Sequence, residues 1–241
     1  MKNSLTILFL FLSIFWSAEM FADEYADIRP QLTLCFTCHG QNGVSTQPKY
    51  PIIAGQHFYY LYVQLKDFKS GYRASEIMGP MAKLLGKKQM KAMAKFFSEQ
   101  KWPNIGYRPI EERAQLGETS ADSGQCVQCH LGGYEGDSRI PRLAGQYPEY
   151  LHNTMLDFKN KIRNNSPAKG SLLMSYSDDE IAAMAEYLAG KSIHAAQINL
   201  EVQWSLRYRW KISTTEYNVS LNKENFDKFL QNSKGAKITG L

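Results

Sequence analysis

Two pentapeptides, Cys35-Phe36-Thr37-Cys38-His39 and Cys126-Val127-Gln128-Cys129-His130, hold all four cysteines of the chain and two of its five histidines. Two thiols separated by two residues and followed at once by an imidazole suit covalent attachment of haem. The thiols add across two vinyl groups of one porphyrin, and the histidine reaches the iron from the proximal side. Iron held in this way exchanges electrons or, with an open coordination position, activates small molecules. A zinc site would require the two cysteine pairs to converge from distant parts of the chain, and it leaves both histidines unexplained. A redox-active dithiol would require a thioredoxin-like strand and helix around the pair, and no such pattern is present. The expectation is therefore two covalently bound haem c groups on Cys35, Cys38, Cys126 and Cys129. His39 and His130 are the proximal ligands, and no thiol is left for a disulfide.

The segments that position these groups are duplicated. Pro51, Ala54, Gly55, Gln56, Tyr60, Leu61, Asp67, Phe68, Lys69 and Arg73 recur as Pro141, Ala144, Gly145, Gln146, Tyr150, Leu151, Asp157, Phe158, Lys159 and Arg163, at an offset of 90. The two pentapeptides recur at 91, as do Met93 and Ala94 against Met184 and Ala185. A period this long marks a duplicated domain rather than a solenoid. Each copy reads as helical. Tyr25 to Thr33 and Ile110 to Gly117 are amphipathic stretches leading to each motif. Tyr60, Leu61, Gln64, Leu65 and Phe68 fall at helical spacing, as do Tyr150, Leu151, Met155 and Phe158. Closing helices bury Met90, Met93, Ala94 and Phe97 in one copy and Ile181, Met184, Ala185 and Leu188 in the other. Ser177 and Glu180 predict a capping box at the last helix, where the first copy has only Gly86. The expected fold is all-α. A first helical domain spans 23–102, a linker opened by Pro103 spans 103–109, and a second helical domain spans 110–191.

With its two motifs, Ala-Gly-Gln turns and Asp-Phe-Lys helices, the chain resembles class I cytochromes c, and in particular the dihaem cytochrome c4 family. The resemblance covers residues 25 to about 190. It implies two small helical domains about a pseudo-twofold axis, with haem edges facing across their interface. It also implies an electron carrier of the periplasm rather than an enzyme, with no catalytic acid, base or nucleophile. The implied partners are redox proteins such as a membrane cytochrome complex or terminal oxidase, with peripheral membrane association.

The sixth iron ligands must come from between the middle and closing helices of each copy. In the first copy the candidates are Met78 and Met81. The family pattern places its methionine seven residues before the leucine that opens the closing helix, which points to Met78 if that leucine is Leu85. The second copy departs from the pattern, since Met78 maps onto Lys169 and Met81 onto Leu172. The expected ligand there is Met174, with Lys169 ligation or an open iron as the alternatives. His57, His152 and His194 read as surface or hydrogen-bonding residues. Arg73 and Arg163 read equally as haem-propionate partners or as solvated helix ends. The Gln56 and Gln146 amides read as partners of propionate or of nearby backbone.

The amino terminus reads as an export signal over 1–22: Lys2, an apolar run over 5–16, then small residues. Cleavage is expected after Ala22, with Ala18 as the second choice because Met20 is not small. The run is short for a membrane span. The formal charge of +5 survives loss of Lys2 and Glu19 and is nearly cancelled by four propionates, so no nucleic-acid footprint is inferred. Beyond about Ser192, Ile198, Leu200, Val202, Trp204, Leu206, Tyr208, Trp210 and Ile212 alternate with polar residues. That predicts a β-hairpin in the C-terminal extension 192–241, followed by a short helix. Two further functions stay open at this point. One is the haem subunit of a sulfur-oxidising flavocytochrome; the other is a dihaem peroxidase-like enzyme using an open second iron.

Overall fold

A computed structural model of the protein describes residues 25–192. The expected leader and the hairpin, helix and His194 of the C-terminal extension lie outside the described residues. Within the first copy, a 3-10 turn at Ala26–Ile28 leads into α1 (Arg29–His39), which carries Pro30 in its first turn. A proline is harmless there because that N–H has no intrahelical partner. Next come α2 (Phe58–Ser70), α3 (Met78–Lys83) and α4 (Lys87–Ser98). The second copy comprises α5 (Glu111–Ser123), α6 (Val127–His130), α7 (Pro148–Lys159), α8 (Pro167–Leu173) and α9 (Asp178–Gly190). Among the described residues there are no strands, only an isolated bridge between Asp137 and Ile140. None of these helices is long and apolar enough to cross a membrane.

The copies differ at their first helix. In the first, the haem motif lies within the continuous α1. In the second, α5 runs past the expected Gly117 to Ser123, and Gln125 then turns to φ 51 before α6 carries the motif. The closing helices differ at their caps. At α9, Ser177 Oγ accepts from the Glu180 N–H at 3.2 Å while Glu180 Oε2 accepts from the Ser177 N–H at 2.7 Å. At α4 only the returning half exists, Gln89 Oε1 accepting from the Gly86 N–H at 2.8 Å.

The apolar residues form one core cluster per copy. The first gathers Ile28, Leu32, Leu61, Leu85, Met90, Met93, Ala94 and Phe97; the second gathers Ala121, Tyr134, Leu151, Phe158, Leu173, Ile181, Met184 and Leu188 with their neighbours. The main helix packings, α2 on α3 and α4 and α9 on α5 and α7, stay within a copy. The copies are joined instead through loops, by polar contacts that come in reciprocal pairs. Gln146 accepts from the Ile52 N–H and donates to the Ile52 carbonyl, both at 2.9 Å. Gln56 does the same to Arg142, at 2.9 Å and 3.0 Å. His57 Nε2 donates to the Glu135 carbonyl at 2.8 Å, and the Tyr147 hydroxyl, its counterpart, donates to the Ser45 carbonyl. Such i-to-j and j-to-i pairing is the pattern of an isologous, twofold interface.

Candidate functional site

These joints enclose a chamber of about 770 Å³ that reaches into both copies. This lies in the upper part of the ~300–1,000 Å³ range of small-molecule sites. Cys35, Cys38 and His39 line one part of it and Cys126, Cys129 and His130 another. Burial pushes the Cys35 thiol up to about 11 and also raises Cys126. A reactive dithiol needs a lowered thiol pKa, and burial moves Cys35 and Cys126 the other way. Among the described residues no three His, Cys, Asp or Glu side chains gather into a metal cluster, which the zinc alternative would need.

Each motif histidine is oriented by the loop that follows. His39 Nδ1 lies 2.9 Å from the Pro51 carbonyl, and His130 Nδ1 lies 2.9 Å from the Pro141 carbonyl. A carbonyl can only accept, so the proton sits on Nδ1 and the lone pair on Nε2, the arrangement that suits a metal-binding imidazole. Burial lowers both imidazole pKa values, and the Lys169 charge adds to the effect at His130, which falls to about 4. His39 is 8% exposed. Both rings are held neutral, as ligation of iron requires.

The expected sixth ligands fare differently. Met78 opens α3, its N–H donating to Ser75 Oγ at 3.0 Å, and both Met78 and Met81 line the chamber. Met174, the expected second ligand, follows the end of α8, is 52% exposed and is not among the chamber-lining residues. Lys169 lines the chamber instead, with Nζ 5.4 Å from the centre of the Phe158 ring. Burial first, then the Arg163 charge, hold its amine down at about 8.

Arg73 and Arg163 are chamber residues rather than solvated helix ends, and Arg163 is only 6% exposed. Their guanidiniums stack on the Phe68 and Phe158 rings at 4.5 Å and 4.4 Å. Both donate to the same acceptor, Gln64 Oε1, at 2.8 Å. Each also reaches the other copy's tyrosine, Arg73 to Tyr150 at 3.2 Å and Arg163 to Tyr60 at 3.5 Å. Burial alone would raise the Tyr150 phenol, yet the two arginines outweigh it and bring it to about 7. Two cations sharing one neutral amide oxygen, with Asp157 the carboxylate facing both, leave net positive charge, which suits anionic groups such as carboxylates. Gln56 and Gln146 bind backbone, as described above, and it is the backbone of the opposite copy. Sequence reasoning missed this role, and missed Gln64 as the shared acceptor, because the partners lie far off along the chain.

Residues 112–188 match the family model described as cytochrome C oxidase, cbb3-type, subunit III. A cytochrome c4 of Thiocapsa roseopersicina is 36% identical over 172 residues, which cover 66% of this chain and 88% of that protein. The chain belongs to the cytochrome c4 family. A crystal structure of reduced cytochrome c4 from Pseudomonas stutzeri superposes with a TM-score of 0.62 at 28% identity, covering 68% of this chain and 96% of that one. A protein of Stutzerimonas stutzeri named thiosulfate dehydrogenase electron acceptor is 33% identical, over 66% of this chain and 80% of its own length. Cytochromes c4 carry covalent haem c, and the two cysteine motifs are consistent with two such groups. The chain is accordingly an electron-transfer protein acting with redox protein partners.

Proposed function

We propose that this chain carries electrons on two covalent haem c groups, one on Cys35 and Cys38 and one on Cys126 and Cys129. His39 and His130 are the proximal ligands, and Met78 is the sixth ligand of the first iron. The observation that carries this reading is the twice-built arrangement of a cysteine pair beside a buried imidazole whose Nδ1 proton is committed to a carbonyl. When bound, haem supplies a one-electron ferric–ferrous couple. The side chains around it hold that couple in place and tune it. The carbonyls of Pro51 and Pro141 fix ring orientation, and the Met78 thioether favours the reduced state and closes the iron to substrates. Arg73 and Arg163 would supply guanidiniums for haem carboxylates at the joint between the copies.

Haem counting on the purified, haem-loaded protein tests the reading. Two haems per chain and a reversible low-spin c-type spectrum are expected, falling to one haem in Cys126→Ala. One haem in the unaltered protein would sink it.

The export-like amino terminus supports a periplasmic location, and mass spectrometry of the mature protein is expected to find a start at Asp23. Delivery towards a membrane cytochrome complex or terminal oxidase is the first choice of pathway. It predicts that inner membranes containing an oxidase reoxidise the reduced protein. The Stutzerimonas relative named as an electron acceptor favours a second reading, in which a sulfur-compound dehydrogenase is the donor. Reduction by such an enzyme with its substrate separates the two.

A further inference from the structure

The repeat supplies a register for the one iron position that the sequence leaves open. Lys69 Nζ donates to the Leu85 carbonyl, and Lys159 Nζ donates to the Tyr176 carbonyl at 2.7 Å. A Cβ added at Gly79 would lie 4.0 Å from the Phe68 carbonyl oxygen, and one at Gly170 would lie 2.9 Å from that of Phe158. These contacts pin both ends of the segment in each copy to the same places on the middle helix. From Gly79 to Leu85 and from Gly170 to Tyr176 the two copies therefore keep one register, which leaves no slack to bring Met174 inward; the one extra residue of the second copy falls before Gly170. In that register Met174 stands where the first copy has Lys83, an exposed residue at the end of α3. Lys169 stands where the first copy has Met78.

Resting on the two-haem reading above, we propose that the Lys169 amine is the sixth ligand of the iron bound at His130. The irons are then unequal, with a thioether opposite His39 and an amine opposite His130. The surroundings of Lys169 agree. It is a chamber-lining lysine with no carboxylate ion pair among the described residues; the nearby charges of Arg163 and Arg73 have its own sign, and the Tyr150 phenol and Cys129 thiol act the other way more weakly than burial opposes the charge. An amine end without a carboxylate partner is costly to bury, and donation to a metal offers it a partner. The other thioethers of the second copy that line the chamber, Met155 and Met184, stand at the positions of Leu65 and Met93, which form wall and core in the first copy. Nitrogen is a harder donor than thioether sulfur and favours the ferric state. The second haem therefore has the lower potential, and a single electron rests on the first.

The test uses the haem-loaded, full-length ferric protein, with haem counted chemically and ligation read by near-infrared magnetic circular dichroism and electron paramagnetic resonance. A methionine–iron charge-transfer band of intensity equal to one haem is expected, with the second haem low-spin and nitrogen-ligated. Lys169→Met should double that band, Lys169→Ala should turn one haem of two high-spin, and Met174→Leu should leave the spectrum unchanged. A band of two-haem intensity in the unaltered protein, its halving in Met174→Leu, or a high-spin second haem in the unaltered protein overturns the assignment. A count below two haems per chain sinks the underlying reading, and the assignment with it.

Discussion

Gln64 Oε1 accepts from Arg73 and Arg163 at 2.8 Å and from Asn165 at 3.2 Å, the last two reaching it from the other copy. Replacing it by leucine keeps the volume and removes the acceptor from two buried cations. Gln64→Leu should lower stability by about 1.5–3 kcal/mol, the range for hydrogen bonds to charged groups, and urea denaturation measures it. At the first iron, Met78→Ala should keep both haems attached while one, once reduced, gains the ability to bind carbon monoxide; a difference spectrum reads it. The attachment residues were legible in the sequence because one stretch of chain must present two thiols and an imidazole to one porphyrin. Arg73 and Arg163 were legible as candidate carboxylate partners, but their shared grip on Gln64 was not, because Arg163 and Asn165 reach that amide from the other copy. Met174 stood out in the sequence because it is the methionine in that loop; that it is 52% exposed and does not line the chamber was not legible, because residue type says nothing of which way a helix end faces.

At the level of elements, α5 and α9 approach so closely that a Cβ at Gly117 would sit 2.2 Å from the Ala183 carbonyl oxygen. Gly117→Ala must push backbone against backbone, and overpacking of this kind costs roughly 1–3 kcal/mol. Thermal unfolding of Gly117→Ala should fall well below that of Gly71→Ala, since an added Cβ at Gly71 meets nothing within 4 Å. The latter carries only the backbone strain of φ +79. Helix existence was legible from apolar spacing, and the Ser177–Glu180 cap from two residues alone. The break at Gln125 was not legible. A non-glycine at positive φ is tolerated there because the chain must turn before Cys126, whose N–H returns to the Ala121 carbonyl at 3.1 Å.

At the scale of the described molecule, the two copies are held by side-chain amides gripping main chain, beside the arginine contacts to Gln64 and the tyrosines. Removing one, as in Gln146→Ala, orphans the buried N–H and carbonyl of Ile52 at about 1–3 kcal/mol for each group left unsatisfied. Removing both, Gln56→Ala with Gln146→Ala, should separate the unfolding of the two cores, so that calorimetry shows two transitions where the unaltered protein shows one. The two copies were visible in the sequence as a repeat. The way they meet was not, because nothing in a repeat says which faces are turned together.

The amide grips touch only backbone atoms of the opposite copy, at Ile52 in one direction and Arg142 in the other. The amide grip itself does not read the side chain at the gripped position, which is isoleucine in one copy and arginine in the other; the Arg142 guanidinium adds a bond of its own to the Gly55 carbonyl at 2.8 Å. Each half can therefore differ from its twin at a gripped position and still be held there. Two halves joined in this way can carry different groups at Met78 and Lys169, and on the assignment proposed above that difference gives an electron a direction to travel.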